Sequence, residues 1–217
     1  MRVPEQPPDW TQQYNAPEIA GGYDNRYRGP IRRINNDRIW RTVLQQLKMA
    51  AGGKIPQWVV DVPAGTGRYT DRLKALGCKV INLDLSHQML SVLRGKHGPA
   101  FEVVGNLHQS ALTCPQGTVA LSLRLMQHFC PEERIRAMQS IRQISPLAVI
   151  AYYPGWDYKN RLRRLRHQLH LPTRIVREHI PLQKIHAEAS AAGWNLLSVR
   201  RVFPVLSENV LLTLQAR

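Results

Sequence analysis

The sequence predicts an α/β protein with a seven-stranded, mostly parallel sheet, helices on both faces and an antiparallel edge built by its C-terminal strands. Three observations carry this. Short β-branched runs alternate with segments of helical period along most of the chain. The first run, Gln57 to Val62, leads into a glycine turn and then a helical pattern. The last two runs follow one another without a helix between them, as an antiparallel pair does.

In chain order, residues 1 to about 30 are rich in Pro, Gly, Gln, Asn and Tyr without a sustained period, and read as an extended arm. From Asn35 to Ala51 the residues Ile39, Val43, Leu44 and Leu47 recur at helical spacing, and Gly52-Gly53 ends the helix. A strand over Gln57 to Val62 precedes a helix carrying Tyr69, Leu73 and Leu76 that stops at Gly77. A second strand ends at Asp84, and Ser86 is placed to cap the next helix. Strands over Phe101 to Val104 and Thr118 to Leu123 follow. Pro131-Glu132-Glu133 puts Pro in the first turn and acids at the positive end of a helix reaching Ile144. A fifth strand over Leu147 to Tyr153, a helix over Leu182 to Ala192 closed by Gly193, and strands near Leu196 to Val202 and Val210 to Leu214 complete the pattern.

At 217 residues the chain fits one large domain better than two. Residues 1–51 read as an arm and a helix covering the site, 52–153 as the core, and 154–217 as a basic helix followed by the C-terminal strands. No apolar run reaches the roughly 18 residues of a membrane span, and MRVPEQPPDW lacks the apolar core of a signal peptide, so a cytoplasmic protein is expected. Cys78, Cys114 and Cys130 are widely spaced, which fits neither a disulfide framework nor a metal site. The net charge of +15 implies anionic partners, among them nucleic acid, phosphorylated small molecules and acidic glycolipid.

Alternating β/α chains bind ligands beyond the carboxyl ends of their strands, where the strand order reverses. Around the first turn, VVDVPAGTGRY, Gly65 and Gly67 allow a tight turn and close approach of a ligand. Asp61 just before it can accept from a cationic amine, directly or through water. Asp84, 23 positions beyond Asp61, stands where an acid accepts from both hydroxyls of a ribose. A dinucleotide fingerprint wants a third glycine where Thr70 stands, which argues against a pyrophosphate ligand.

These segments resemble the class I S-adenosylmethionine-dependent methyltransferases, particularly the branch acting on small molecules and lipids. DVPAGTGR looks like that family's DxGxGTGR, with Pro63 and Ala64 departing from its commoner Gly-Cys, and INLDLSHQML is similar to its GxDxSxxML. The resemblance covers most of the chain and implies a Rossmann-like sheet, S-adenosylmethionine as cofactor, and contacts to it from Asp61, Ala64, Gly65, Gly67, Asp84, Leu85 and Met89. VVGNLHQSAL lies where the family often carries Gly-Asp and an apolar residue, so Asn106 would receive the adenine amino group beside Leu107. Thr118-Val119 replaces the family's Phe-Asp, a local departure. LSLRLMQHF resembles its strand-end segment beside the methionine half of the cofactor, and AAGWNLL its Ala-Gly-Phe step. Tyr23, in GGYDNRYRG, resembles a tyrosine of the segment that closes over the cofactor.

Arg124, Arg68 and Arg28 compete for the cofactor carboxylate or an anionic substrate. His128, beyond the fourth strand, is the candidate general base for an alcohol or phenol acceptor. Tyr152, Tyr153 and Trp156 follow the fifth strand, where an acceptor pocket would be built. Tyr158 to Arg177 contains seven Lys or Arg and no acid, with Leu162, Leu165 and Leu169 along one face. Its Arg161 and Arg164 are candidates to recognise an anionic acceptor. The resulting expectation is methyl transfer to an oxygen or nitrogen of a small-molecule or anionic glycoconjugate acceptor. One alternative is an RNA methyltransferase, although no Asn-Pro-Pro-Tyr-type motif is present. The other is a non-catalytic relative docking on a partner or an anionic membrane.

Overall fold

The structure, a computed structural model, describes residues 17–22, 29–109, 111–155, 158–172, 180–202 and 209–217. Seven strands form one sheet: β1 (Trp58–Asp61), β2 (Lys79–Asp84), β3 (Phe101–Val104), β4 (Val119–Ser122), β5 (Leu147–Tyr152), β6 (Trp194–Arg201) and β7 (Val210–Ala216). Their spatial order is β3-β2-β1-β4-β5-β7-β6. β1 to β5 pair in parallel, while β7 is antiparallel to both β5 and β6. The C-terminal strands pair as expected, but the chain inserts β7 beside β5 and leaves β6 at the rim. Val210 to Leu214 are buried, whereas β6 is mostly half-exposed or exposed, so the more apolar strand takes the interior place.

The strand period of two sorts side chains onto two faces. One face (Val60, Ile81, Ala120, Ala148, Ile150) packs under α5 (Pro131–Ile144) and α7 (Leu182–Ala191). The other (Val59, Val80, Val119, Val149, Ala151) packs under α2 (Pro30–Ala50) through Ile39, Val43 and Leu47. The short α1 (Pro17–Gly22) packs near α4 (His87–His97), whose Leu90 and Leu93 are buried with Ala64. Helix α2 starts a turn earlier than its apolar period suggests, with Pro30 in the first turn. A buried bond from Thr213 Oγ1 to Gln46 Oε1 (2.7 Å) ties it to β7.

The helix expected after the first glycine turn is reduced to α3 (Thr70–Ala75). By contrast Ser86 caps α4 as expected, its hydroxyl accepting from Met89 N at 3.2 Å. The basic segment forms α6 over Tyr158–Gln168. None of the helices among the described residues is long and apolar enough to cross a membrane.

Where α5 meets α7, Arg134 and Glu188 form a bidentate ion pair, both almost fully buried. Arg134 Nε and Nη2 donate to Glu188 at 2.8 and 2.6 Å, its Nη1 donates to Phe129 O at 2.9 Å, and Tyr152 Oη donates to Glu188 Oε2 at 2.8 Å. Removing one member strands a charge in the core, whereas an apolar pair of similar volume leaves none. Arg134→Met is therefore expected to cost about 3–5 kcal/mol in urea unfolding. The double change Arg134→Met/Glu188→Leu should recover most of that loss; strict additivity of the two single costs would contradict the coupling.

Candidate active site

From β1 the chain crosses to β2 on one side and later returns to β4 on the other, so a crevice opens beyond the carboxyl ends of β1 and β4. A cavity of about 260 Å³ fills it. Its walls come from three strand-end turns: Asp61 to Tyr69 after β1, Asp84 to Met89 after β2, and Leu123 to Phe129 after β4.

Two buried carboxylates form the floor. Asp84 Oδ2 accepts from Gly65 N at 2.7 Å and Oδ1 from Ser86 N at 2.8 Å. Burial pushes the Asp84 carboxyl up from its ordinary value, while the backbone N–H groups of Ser86, Gly65 and Leu85 oppose that rise. A carboxylate has about four lone-pair directions; the backbone bonds orient it and leave capacity toward the cavity. Asp61 is pushed well above its ordinary value by burial first and by the neighbouring charge of Asp84 second. Among the described residues no side chain makes an ion pair with Asp61. Such a group suits a cationic ligand, which would supply the missing counter-charge.

On the β4 side, Arg124 has a φ of 67°, a left-handed conformation uncommon outside Gly. Backbone strain of this kind gathers at functional positions, and here it bends the chain so that residues 123–125 all line the cavity. His128 closes the 3₁₀ turn Met126–His128, and the Gln127 amide nitrogen lies 2.9 Å from its Nε2. With the amide donating, Nε2 accepts and Nδ1 carries the proton of the neutral ring. Phe129, tethered through its carbonyl to Arg134, adds an aromatic wall.

The opposite wall is pinned to α2. Asn36 Oδ1 accepts from Arg68 Nε at 2.8 Å and from Tyr69 Oη at 2.9 Å, and Arg72 pairs with Asp37. Trp40 stacks on Tyr69 with ring centres 5.5 Å apart. Burial pushes the Tyr69 phenol up to about 12, opposed by the nearby Arg68 guanidinium.

The structure therefore brings Asp61, Ala64, Gly65, Asp84, Leu85, Met89, Arg124 and His128 to one cavity, with Arg68. Others it places elsewhere. Gly67 does not line the cavity: a Cβ there would meet Leu93 and His97 of α4 at 2.8 Å, so it serves close packing of the turn on that helix. Asn106 Oδ1 accepts from His108 N at 3.0 Å and shapes the 3₁₀ turn Leu107–Gln109, and neither Asn106 nor Leu107 lines the cavity. Tyr152 faces away, into the Arg134–Glu188 pair, because adjacent strand residues point to opposite faces. Tyr153 falls on the α2 side near Tyr69, outside the cavity lining. Arg161 and Arg164 are exposed on α6 and do not line it either. Tyr23, Arg28 and Trp156 lie outside the described residues. Tyr69, Thr66, Leu123, Leu125 and Phe129 line the cavity without having been singled out as cofactor or substrate contacts. All but Thr66 carry apolar bulk that reads equally well as core.

With this geometry in view, likenesses to known proteins bear on the fold. Residues 59–145 match the family model described as a methyltransferase domain. Among solved structures, magnesium protoporphyrin IX methyltransferase from Synechocystis with bound S-adenosylhomocysteine superposes with a TM-score of 0.73 at 12% identity, over 96% of this chain and 98% of that one. Human N-acetylserotonin methyltransferase in complex with S-adenosylmethionine gives 0.65 at 14% identity, over 99% and 60%. A TehB-like methyltransferase from Corynebacterium glutamicum gives 0.61 at 17% identity, over 93% and 100%. No curated protein matches the chain in sequence. The fold is that of the class I methyltransferases, and the segment matched by the family model runs from β1 to the end of α5.

The two glycines of the turn are expected to separate in their roles. Gly67→Ala adds a collision to a φ of 73° and should lower stability by roughly 2–4 kcal/mol. Gly65→Ala, with open space around its Cβ, should cost only about 1–2 kcal/mol while intruding on the ligand. Chemical denaturation and calorimetry with S-adenosylhomocysteine check the pair; equal stability losses would contradict the assignment.

Proposed function

We propose that the protein transfers a methyl group from S-adenosylmethionine to an oxygen or nitrogen of a small-molecule or anionic acceptor, the latter phosphorylated or a glycoconjugate. The observation that carries the cofactor half is the Asp84 carboxylate, oriented by Gly65 N and Ser86 N in the switch-point cavity, beside an Asp61 that makes no ion pair among the described residues. The acceptor half rests on the net charge of +15 and on the magnesium protoporphyrin IX and N-acetylserotonin methyltransferases among the structural likenesses.

In this reading Asp84 accepts from the ribose hydroxyls and Asp61 from the amino group. Arg124, with Arg68 near it, holds the carboxylate, and Leu85 and Met89 supply apolar contact. Bound S-adenosylmethionine supplies a methyl group already activated on a sulfonium sulfur. The chain's own task is alignment and exclusion of water, for which the side chains of Leu123, Leu125 and Phe129 are suited. His128 holds the proton released by a hydroxyl acceptor at Nε2 once the Gln127 amide turns its oxygen, in place of its nitrogen, toward that atom.

Asp84→Ala is expected to weaken S-adenosylhomocysteine binding by roughly 10- to 150-fold, the worth of one or two hydrogen bonds to a charged group. Unchanged binding by calorimetry would sink the ribose assignment. His128→Ala should leave that affinity within about twofold and lower kcat by roughly 100-fold or more on a hydroxyl acceptor; an unchanged kcat would remove His128 from proton transfer. Methyl-transfer assays on anionic metabolites and on RNA discriminate acceptors. An RNA reading, favoured only by the charge, demands affinity that falls steeply with salt.

Asp61 also makes binding pH-dependent. Its raised value in the ligand-free protein drops when a cation neutralises the site, so affinity is full above the raised value and declines as pH falls through it. Proton release measured in buffers of different ionisation enthalpy checks this. Asp61→Asn should abolish the release, weaken binding, and raise the stability of the ligand-free protein at neutral pH, because ionising this buried carboxyl opposes folding there.

A further inference from the structure

Helix α6 turns an apolar ridge outward. Leu162 and Leu165 are 52% and 51% exposed, Leu169, one residue past the helix end but still bonded through its N–H to Leu165 O, is 59% exposed, and Leu171 is 49% exposed. At roughly 100° per residue the first three share one face. Asn160, fully buried, lies about 170° around the helix from that ridge, and its Nδ2 donates to Gly155 O at 2.9 Å. The helix is thus anchored by the side opposite its leucines. Arg161 and Arg166 flank the ridge at about 70° on either side, and both are exposed. No acid occurs from Tyr158 to Arg177. The helix follows β5, so it begins at the carboxyl edge of the sheet, the edge that carries the cavity.

We infer that α6 is a docking surface for an anionic lipid bilayer, its leucine ridge entering the boundary between headgroups and acyl chains while the flanking arginines meet lipid phosphates. The pattern of an apolar stripe bounded by long cationic side chains is what an interfacial helix requires. Charge decides against the other occupants. A second copy of this face would set arginines against arginines without an acid between them, in a chain of net charge +15. RNA would engage the arginines and leave the leucines wet. The inference is independent of methyl transfer, since it concerns a surface outside the cavity lining.

Co-sedimentation of the full chain with vesicles of phosphatidylcholine, alone or mixed with phosphatidylglycerol, tests it. Binding is expected to the mixed vesicles, at least about tenfold weaker to the neutral ones, and reduced by salt. Arg161→Glu/Arg166→Glu should weaken binding about tenfold or more, and Leu162→Ser/Leu165→Ser comparably. All four side chains are solvent-facing, and an unchanged thermal midpoint in each variant separates lost docking from lost folding. Three results would overturn the inference: no binding to the mixed vesicles, full binding by the leucine variant, or conversion of a dimer to a monomer by that variant. The second would reveal electrostatic capture alone, and the third a self-interface. S-adenosylhomocysteine affinity should be unchanged in both variants, so failure here leaves the cofactor reading standing.

Discussion

One carboxylate holds the ends of two strands in register. Asp84 accepts from Gly65 N with one oxygen and from Ser86 N with the other, so the turn after β1 and the turn after β2 share a single buried anchor. Ala64 N donates to Leu83 O at 3.0 Å and reinforces the same join. From this point Ser86 caps α4, and Leu90 and Leu93 of α4 cover Ala64. In the proposed function, ligand contact and architecture meet in the same atoms. A group that shapes the site by accepting backbone N–H bonds is oriented before any ligand arrives, which lowers the ordering cost of binding.

That arrangement costs stability. Burial makes both Asp61 and Asp84 costly to ionise, Asp84 adds to that cost at Asp61, and Arg124 holds a left-handed backbone at the end of β4. Rigidity comes from elsewhere in the fold. The Arg134–Glu188 pair, with Tyr152 and the Phe129 carbonyl, locks α5, α7, β5 and the cavity wall together. On the other face Asn36, Asp37 and Trp40 fasten the wall bearing Arg68, Tyr69 and Arg72 to α2. Each face of the sheet thus steadies one side of the crevice.

Element types and their order were legible because hydrophobic period and punctuation are local signals. Phe101–Val104 and Pro131–Ile144 fall at their expected bounds, while α3 is shorter than its apolar spacing suggests because Leu76 packs outside the core and is partly exposed. The carboxylates and Gly65 were legible because strand-end position and spacing mark them. Asn106 and Gly67 were less so. The first spends its side-chain oxygen on the local turn, and the second faces α4 rather than the cavity, distinctions that depend on where a neighbouring helix lies. Tyr152 and Tyr153, adjacent in sequence, separate to opposite faces of the sheet, and only Tyr153 lies on the cavity's α2 side.

The sequence by itself determined the alternation of strands and helices, the glycine turn, the paired acids and the basic amphipathic helix, since each is written in residues a few positions apart or at a regular spacing. Tertiary structure alone decided that β7 lies inside β6, that Arg134 meets Glu188 across 54 positions, and that Asn36 reaches Arg68 and Tyr69. It also decided that the leucines of α6 face outward, because a buried Asn160 claims the opposite side. Contacts between distant segments depend on which surfaces the packed sheet brings together, and no local period encodes that choice.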